Sequence, residues 1–244
     1  MELREMIDKR KSVRSYTSEM VDIATLQKIK DFMATMRPLY PEIRVRAEIV
    51  ERESVSCFLP WVTPQMIVIF SEEKEGYAEN VGFLFQQLDL YLQSIGLGTC
   101  WLGMGRLNAQ GKMEVASSDD LKFVILMTVG YPKGEARRNG AMDFKRKSLA
   151  EISDQVDERL EPARLAPSSV NSQPWYFVHE GSSIHVYCVQ QGFFRTKALG
   201  EMNRIDIGIA LAHLYVSYPE TFRFFHAQAA SMKGYHYLGS IEIG

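Results

Sequence analysis

The sequence is poor in cysteine: Cys57, Cys100 and Cys188 are its only three, an odd number without CxxC spacing. That pattern supports neither a disulfide framework nor a zinc site and points to a reduced, cytoplasmic setting. Cys100 stands in an apolar run and reads as a small core residue, not as a nucleophile. Long hydrophobic runs are missing too. The longest, Gln65–Phe70 and Phe123–Val129, fall far short of the ~20 apolar residues that cross a bilayer. Met1–Asp8 is charged throughout and has no apolar signal core. A dominant charge is also absent. With 28 Lys and Arg against 30 Asp and Glu, no global field favours nucleic acid or an anionic membrane. Any anionic ligand must be gathered by a local cluster.

Motifs of several enzyme classes are lacking. The five histidines form no HExxH or i, i+4 pair, which leaves zinc hydrolysis without support, and His213 reads as a satisfied core residue in an apolar helix. There is no GxSxG elbow. Gly103 and Gly105 are followed by Asn108 where a dinucleotide fingerprint needs a third glycine, and Gly111-Lys112 runs into Met113 instead of the Ser or Thr of a P-loop. No pair of carboxylates stands out as an acid/base couple, which suits an enzyme whose cofactor does the chemistry.

What is present is an ordinary globular balance, 46% hydrophobic and 24% charged, enough for a sizeable core and against a disordered body. Short helices are expected at Leu3–Ile7 and near Ser148, and a helix capped by Asp22 continues toward Pro38. Ile43 to Ile49 alternates as a half-exposed strand, while Gln65–Phe70 and Lys122–Val129 read as buried strands. The clearest helix runs from about Tyr77 to Ile95 on a stripe of Val81, Leu84, Phe85, Leu88 and Leu92, with Gly96 placed to stop it. Gly96–Gly105 suggests a short strand opening into a loop. Beyond it come a helix over Asp157–Leu165 and a hairpin of Trp175–His179 with Ile184–Val189. A helix over Ile205–Tyr215 and a last strand over Tyr235–Ile243 follow. The class is α+β.

Four stretches can carry chemistry. In extended chain, Arg10, Ser12 and Arg14 share one face, and two guanidinium forks around a hydroxyl make a cradle for a phosphate. Taken alone, a solvated basic run has the stronger claim. Ala166–Trp175 (APSSVNSQPW) packs hydroxyls and an amide between prolines, suited to a ligand's polar edge or, more simply, to a capped turn. Gly98–Gly105 lets backbone N–H groups approach a planar ring, or is only a tight transition out of a strand. Lys145–Lys147 is a second basic cluster, either a phosphate clamp or a solvated loop.

Together these stretches resemble the FMN-dependent nitroreductase family. The matching residues are Lys9–Tyr16 (KRKSVRSY), Gly96–Gly103, Val129–Pro132, Lys145–Lys147 and Ala166–Phe177. The resemblance implies a mixed, mainly antiparallel sheet flanked by helices, and an FMN cofactor. It implies NAD(P)H as donor and a small organic acceptor such as a nitroaromatic or quinone. It places the FMN phosphate at Arg10, Lys11, Ser12 and Arg14, with Lys145 and Arg146. Leu102, Gly103 and Met104 would present backbone to the flavin, and Pro167, Ser168, Ser169 and Asn171 would meet its ring and ribityl chain. No catalytic acid is assigned. An FMN-binding protein without turnover, used for storage or sensing, shares all these features.

One departure stands out. In ordinary members the serine–asparagine loop follows the basic segment closely and is supplied across a dimer interface. Here it comes after the long helix and the Gly130-Tyr-Pro132 strand. The expectation is a single-chain pseudodimer of two similar halves, about residues 1–155 with the phosphate segment and about 156–244 with the loop, and a further homodimer is compatible with it.

Overall fold

The computed structural model describes residues 3–58, 63–115, 120–190 and 193–244, with side chains beyond Gln190 resuming at Gly200. In chain order the elements are α1 Leu3–Ile7, α2 Ile23–Met33, β1 Val45–Glu51, β2 Val55–Cys57, β3 Gln65–Ser71, α3 Tyr77–Ser94, β4 Gly98–Leu102, β5 Gly105–Leu107, α4 Ala109–Glu114 and β6 Lys122–Gly130. Then follow α5 Leu149–Ile152, α6 Glu161–Arg164, β7 Trp175–Glu180, β8 Ser183–Val189, α7 Phe193–Ser217, β9 Arg223–Phe225 and β10 Tyr235–Glu242. Two compact units emerge: residues 1–77 with 88–139, and residues 78–87 with 140–244. The architecture is α+β.

The first unit is built on an antiparallel sheet ordered β1-β3-β6-β4. Its apolar runs, β3 and β6, take the two central positions, where both faces need covering. A two-stranded ribbon of β2 and β5 lies over one end, and Val55 and Leu107 join Val68, Leu102 and Leu126 in one buried cluster. Asp22 caps α2 by accepting the Thr25 amide at 2.9 Å. The end of α3 is set by Gly96 at φ +90°: the Leu97 amide reaches the Leu92 carbonyl at 2.9 Å and the Gly96 amide that of Gln93 at 3.3 Å, a Schellman closure.

The second unit holds the other antiparallel sheet, β7-β8-β10-β9. Gly181, at φ +61°, turns the β7–β8 hairpin. The helices of this unit meet at two glycines. A Cβ on Gly82 would stand 2.0 Å from the Ile205 carbonyl oxygen, and one on Gly208 would stand 2.0 Å from that of Glu79. Backbone therefore touches backbone, and this explains why residues 78–87 of α3 group with the later part of the chain. Arg204 pairs with Glu79 along the same crossing, and Gln86 donates to His213 Nε2 at 3.1 Å. His213 is the satisfied core residue expected of it, since its Nδ1 donates to the Pro162 carbonyl at 2.9 Å.

Replacing Gly208 by Ala should destabilise the protein by about 1–3 kcal/mol through overpacking, read as a lowered urea midpoint. Gly200→Ala is the control, because its Cβ meets nothing within 4 Å; there the helix should be unchanged or gain up to about 1 kcal/mol. Equal effects of the two substitutions would contradict the close crossing.

Candidate functional site

In the first unit the basic stretch runs beside β4. Ser12 bridges Thr99 in parallel, and the Val13 amide donates to the Thr99 carbonyl at 2.8 Å. The Tyr16 hydroxyl pins the far end, 2.8 Å from the Val13 carbonyl and 2.6 Å from the Thr128 hydroxyl. Arg10, Ser12 and Arg14 come together as the extended backbone requires. Arg10 Nη2 donates to Ser12 Oγ at 3.2 Å, and Arg14 Nη1 reaches the Ser12 carbonyl at 3.5 Å. The Lys11 side chain is exposed, and its amide donates to Gln93 Oε1 at 2.9 Å.

Arg10 is only 1% exposed, and its Nε forms an ion pair with the equally buried Asp89 at 2.9 Å. The other Asp89 oxygen accepts from the Thr99 hydroxyl and from Gln93 Nε2, the latter at 3.0 Å. A buried charge pair repays its desolvation only when the remaining lone pairs are satisfied, as they are here. The consequence is directional: Asp89 takes the Nε side of the guanidinium and leaves an Nη on the Ser12 side. Neither Asp89, Gln93 nor Thr99 was flagged from sequence, though an acid between Leu88 and Leu90 in an apolar helix was the available cue.

The turn after β4 places Gly103 and Met104 at the surface, Met104 67% exposed. The Leu102 side chain belongs to the buried cluster, so only its backbone can face a ligand.

In the second unit the APSSVNSQPW loop and Lys145–Lys147 are one assembly. Arg146 donates from Nε to the Ala166 carbonyl at 2.9 Å and from Nη1 to Asn171 Oδ1 at 2.6 Å. Asn171 Nδ2 donates to the Lys145 carbonyl at 2.9 Å, and Lys147 grips Gln173 through its amide at 2.7 Å and its Nζ at 3.1 Å. The Lys145 side chain is exposed and Pro167 is buried. Ser168 Oγ accepts the Gln173 amide at 2.9 Å, which leaves its own proton available to donate. Three non-glycine residues, Val170, Asn171 and Gln173, have φ of 47°, 57° and 47°, a region that a β-branched residue ordinarily avoids.

Asp206 on α7 anchors this loop. Both of its oxygens lie 3.0 Å from the Ser169 amide, and the Ser172 hydroxyl lies 3.5 Å from one of them. Burial pushes the Asp206 carboxyl up to about 8, because the Ser169 and Ser172 hydrogen bonds only partly offset the lost hydration. Sequence reading passed over Asp206, which stands between two isoleucines.

A family model described as "Putative TM nitroreductase" matches residues 2–218. The chain belongs to that nitroreductase family. A solved structure described as a putative nitroreductase, from Thermotoga maritima MSB8, aligns at TM-score 0.64 and 19% identity, covering 100% of this chain and 93% of that one. A nitroreductase family protein from Clostridium difficile 630 aligns at TM-score 0.50 and 17% identity, over 62% of this chain and 96% of its own. A chain named an FMN-dependent nitroreductase, from Clostridium difficile R20291, aligns at TM-score 0.46 and 19% identity over 57% of this chain and 93% of its own. No curated protein matches the chain. Family membership makes the protein an oxidoreductase in outline, and its fold is that of the nitroreductases. Among the described residues no helix is long and apolar enough to cross a membrane.

Two outcomes test the supports of these loops. Asp89→Ala leaves the Arg10 charge buried without its partner and should cost about 3–5 kcal/mol in urea unfolding; a loss under about 1 kcal/mol would mean that water reaches Arg10. The Asp206 carboxyl has its folded value raised from the usual 3.8 to about 8. The folded state therefore holds this proton more tightly than the unfolded chain, and stability is lost as pH rises between about 4 and about 8. Asp206→Asn keeps an oxygen for the Ser169 amide and should flatten that slope; identical slopes in both proteins would refute the assignment.

Proposed function

We propose that the chain is an FMN-dependent oxidoreductase that passes hydride from NAD(P)H to a small organic acceptor such as a nitroaromatic or a quinone. The observation that carries this reading is the convergence of Arg10 and Arg14 on Ser12, with Arg10 aimed by a buried carboxylate. The donor set, two guanidinium groups and a hydroxyl on one strand face, fits a tetrahedral phosphate. The backbone of Gly103 and Met104, exposed in a turn of the same unit, suits the polar edge of a flat ring. Bound FMN would supply the two-electron carrier that the protein side chains lack.

The chain's own residues have holding roles. Arg10, Ser12 and Arg14, with Lys11 adding positive field, would bind the phosphate. The Ser168 hydroxyl has a proton to donate, and Ser169 has a hydroxyl outside the loop's own bonding. Arg146 and Asn171 are joined to each other, so their contribution is to fix the loop at Pro167–Ser169 for the ring and ribityl chain. N–H and cationic donors of this kind stabilise the extra negative charge of a reduced ring.

We also read the chain as a pseudodimer that builds from one polypeptide what ordinary members build from two. Each unit has its own four-stranded antiparallel sheet, and the Clostridium difficile 630 chain is matched nearly whole by 62% of this one. The stoichiometry then expected is one FMN per chain, held by a monomer in sedimentation analysis. FMN bound only by a dimer would contradict it.

Arg14→Ala should weaken FMN roughly tenfold to a hundredfold through loss of a charged hydrogen bond, measured by fluorescence quenching of added FMN. Unchanged affinity would remove the phosphate assignment. Anaerobic NADH separates enzyme from carrier: bleaching of the bound flavin is expected, and a persistently yellow protein would make this a storage or sensor protein.

A further inference from the structure

On the first unit, away from the basic stretch, lies a cavity of about 450 Å³. Its floor is a row across three neighbouring strands: Arg46 of β1 stands opposite Phe70 of β3, which stands opposite Phe123 of β6. Residues paired in this way show their side chains on the same face of a sheet. The two rings meet edge to face, with centroids 6.2 Å apart. The wall is Arg106 and Leu107 of β5 with Lys112 of α4.

Three features favour a binding site over a gap in the packing. The cavity continues the apolar face that the β2–β5 ribbon covers elsewhere, with Leu107 buried and Phe70 and Phe123 only half-buried at its end. Its three cations come from three different elements, so helix or strand periodicity alone does not bring them together. Two of the three also carry charge that no ion pair among the described residues answers. Arg46 pairs with Glu48 at 2.7 Å, while Arg106 and Lys112 are exposed and have no ion pair among the described residues. In a chain with net charge −2, this is a local excess of positive charge over an aromatic floor.

We propose that the cavity binds an aromatic carboxylate of one or two fused rings. The ring lies against Phe70 and Phe123, where edge and face contacts add to simple burial, and the carboxylate meets the guanidinium fork of Arg106 and the Lys112 ammonium. The volume is at the small end of ligand cavities, which run from about 300 to about 1,000 Å³, and so favours a compact ring system over an extended chain. The proposal stands apart from the flavin reading, since none of these residues belongs to it.

Isothermal titration calorimetry on the full chain tests it with 1-naphthoate, its neutral amide 1-naphthamide, and AMP. The carboxylate is expected to bind at least about tenfold more tightly than the amide, by the strength of a charge-assisted hydrogen bond. The double variant Arg106→Glu, Lys112→Glu should lose naphthoate binding by a similar factor or more while its thermal midpoint stays put, because both side chains are exposed. Three results overturn the proposal: no heat from naphthoate, equal binding of acid and amide, or full retention of binding in the double variant. Binding of AMP with none of naphthoate overturns it in favour of a phosphate site.

Discussion

Close backbone approach at two glycines, Gly82 on α3 against the Ile205 carbonyl and Gly208 on α7 against that of Glu79, is the constraint from which the second unit is organised. Each glycine sits inside a helix, where it costs about 1 kcal/mol relative to alanine. That cost persists because no side chain fits: an added Cβ would overlap a carbonyl oxygen at 2.0 Å on either helix. Such proximity fixes the rotation of α7 about its axis. Two residues before Gly208, Asp206 is thereby pointed at the Ser169 amide, and five residues after it His213 meets Gln86 and the Pro162 carbonyl. Helix packing in this unit thus decides where a loop anchor stands.

Asp89 and Asp206 show how one residue type serves two ends. Both are buried acids. Asp89 faces a guanidinium and two hydrogen-bond donors, so its charge is answered within the network and its effect is to orient Arg10. Asp206 faces an amide and a hydroxyl but no cation in its hydrogen-bonded set, and burial prevails, raising the carboxyl to about 8. Asp206 has no opposite charge in its hydrogen-bonded set to offset the loss of hydration.

Sequence periodicity recovered the elements whose partners are dictated by burial. Gln65–Ser71 and Lys122–Gly130 are central strands because nothing polar interrupts them, and Tyr77–Ser94 ends where Gly96 permits a left-handed residue. Three-residue strands escaped it. Val55–Cys57, Gly105–Leu107 and Arg223–Phe225 are too short to show a period of two and exist through their partners. Helix α7 starts a dozen residues before the expected Ile205, and its later turns are enclosed on most sides, so no single apolar stripe marks its length. The same division runs through the candidate site. Arg10, Ser12 and Arg14 announce a shared face by their spacing, but the burial of Arg10 depends on Asp89, which the chain delivers only after a further helix and three strands. Arg146, which reads from sequence as part of a phosphate clamp or of a solvated loop, is bonded to the APSSVNSQPW loop.

The loop from Ser168 to Gln173 is where local preference and global structure disagree most openly. Val170 is 83% exposed, so its left-handed backbone is not repaid by burial of its side chain. Strain of this kind, of order 1–3 kcal/mol per residue, survives only where surrounding bonds leave the chain no alternative. Those bonds are present on both sides of Val170: Asp206 holds the Ser169 amide, Arg146 and the Lys145 carbonyl hold the Asn171 amide group, and Lys147 with Ser168 holds Gln173. Every one of these partners is polar, and several are charged. A loop fixed this way keeps its shape in water without a core of its own, while Ser168 and Ser169 remain accessible beside it. That combination of rigidity and open polar groups is what a ligand-contacting loop requires, and it is obtained by spending hydrogen bonds on the backbone instead of on the ligand.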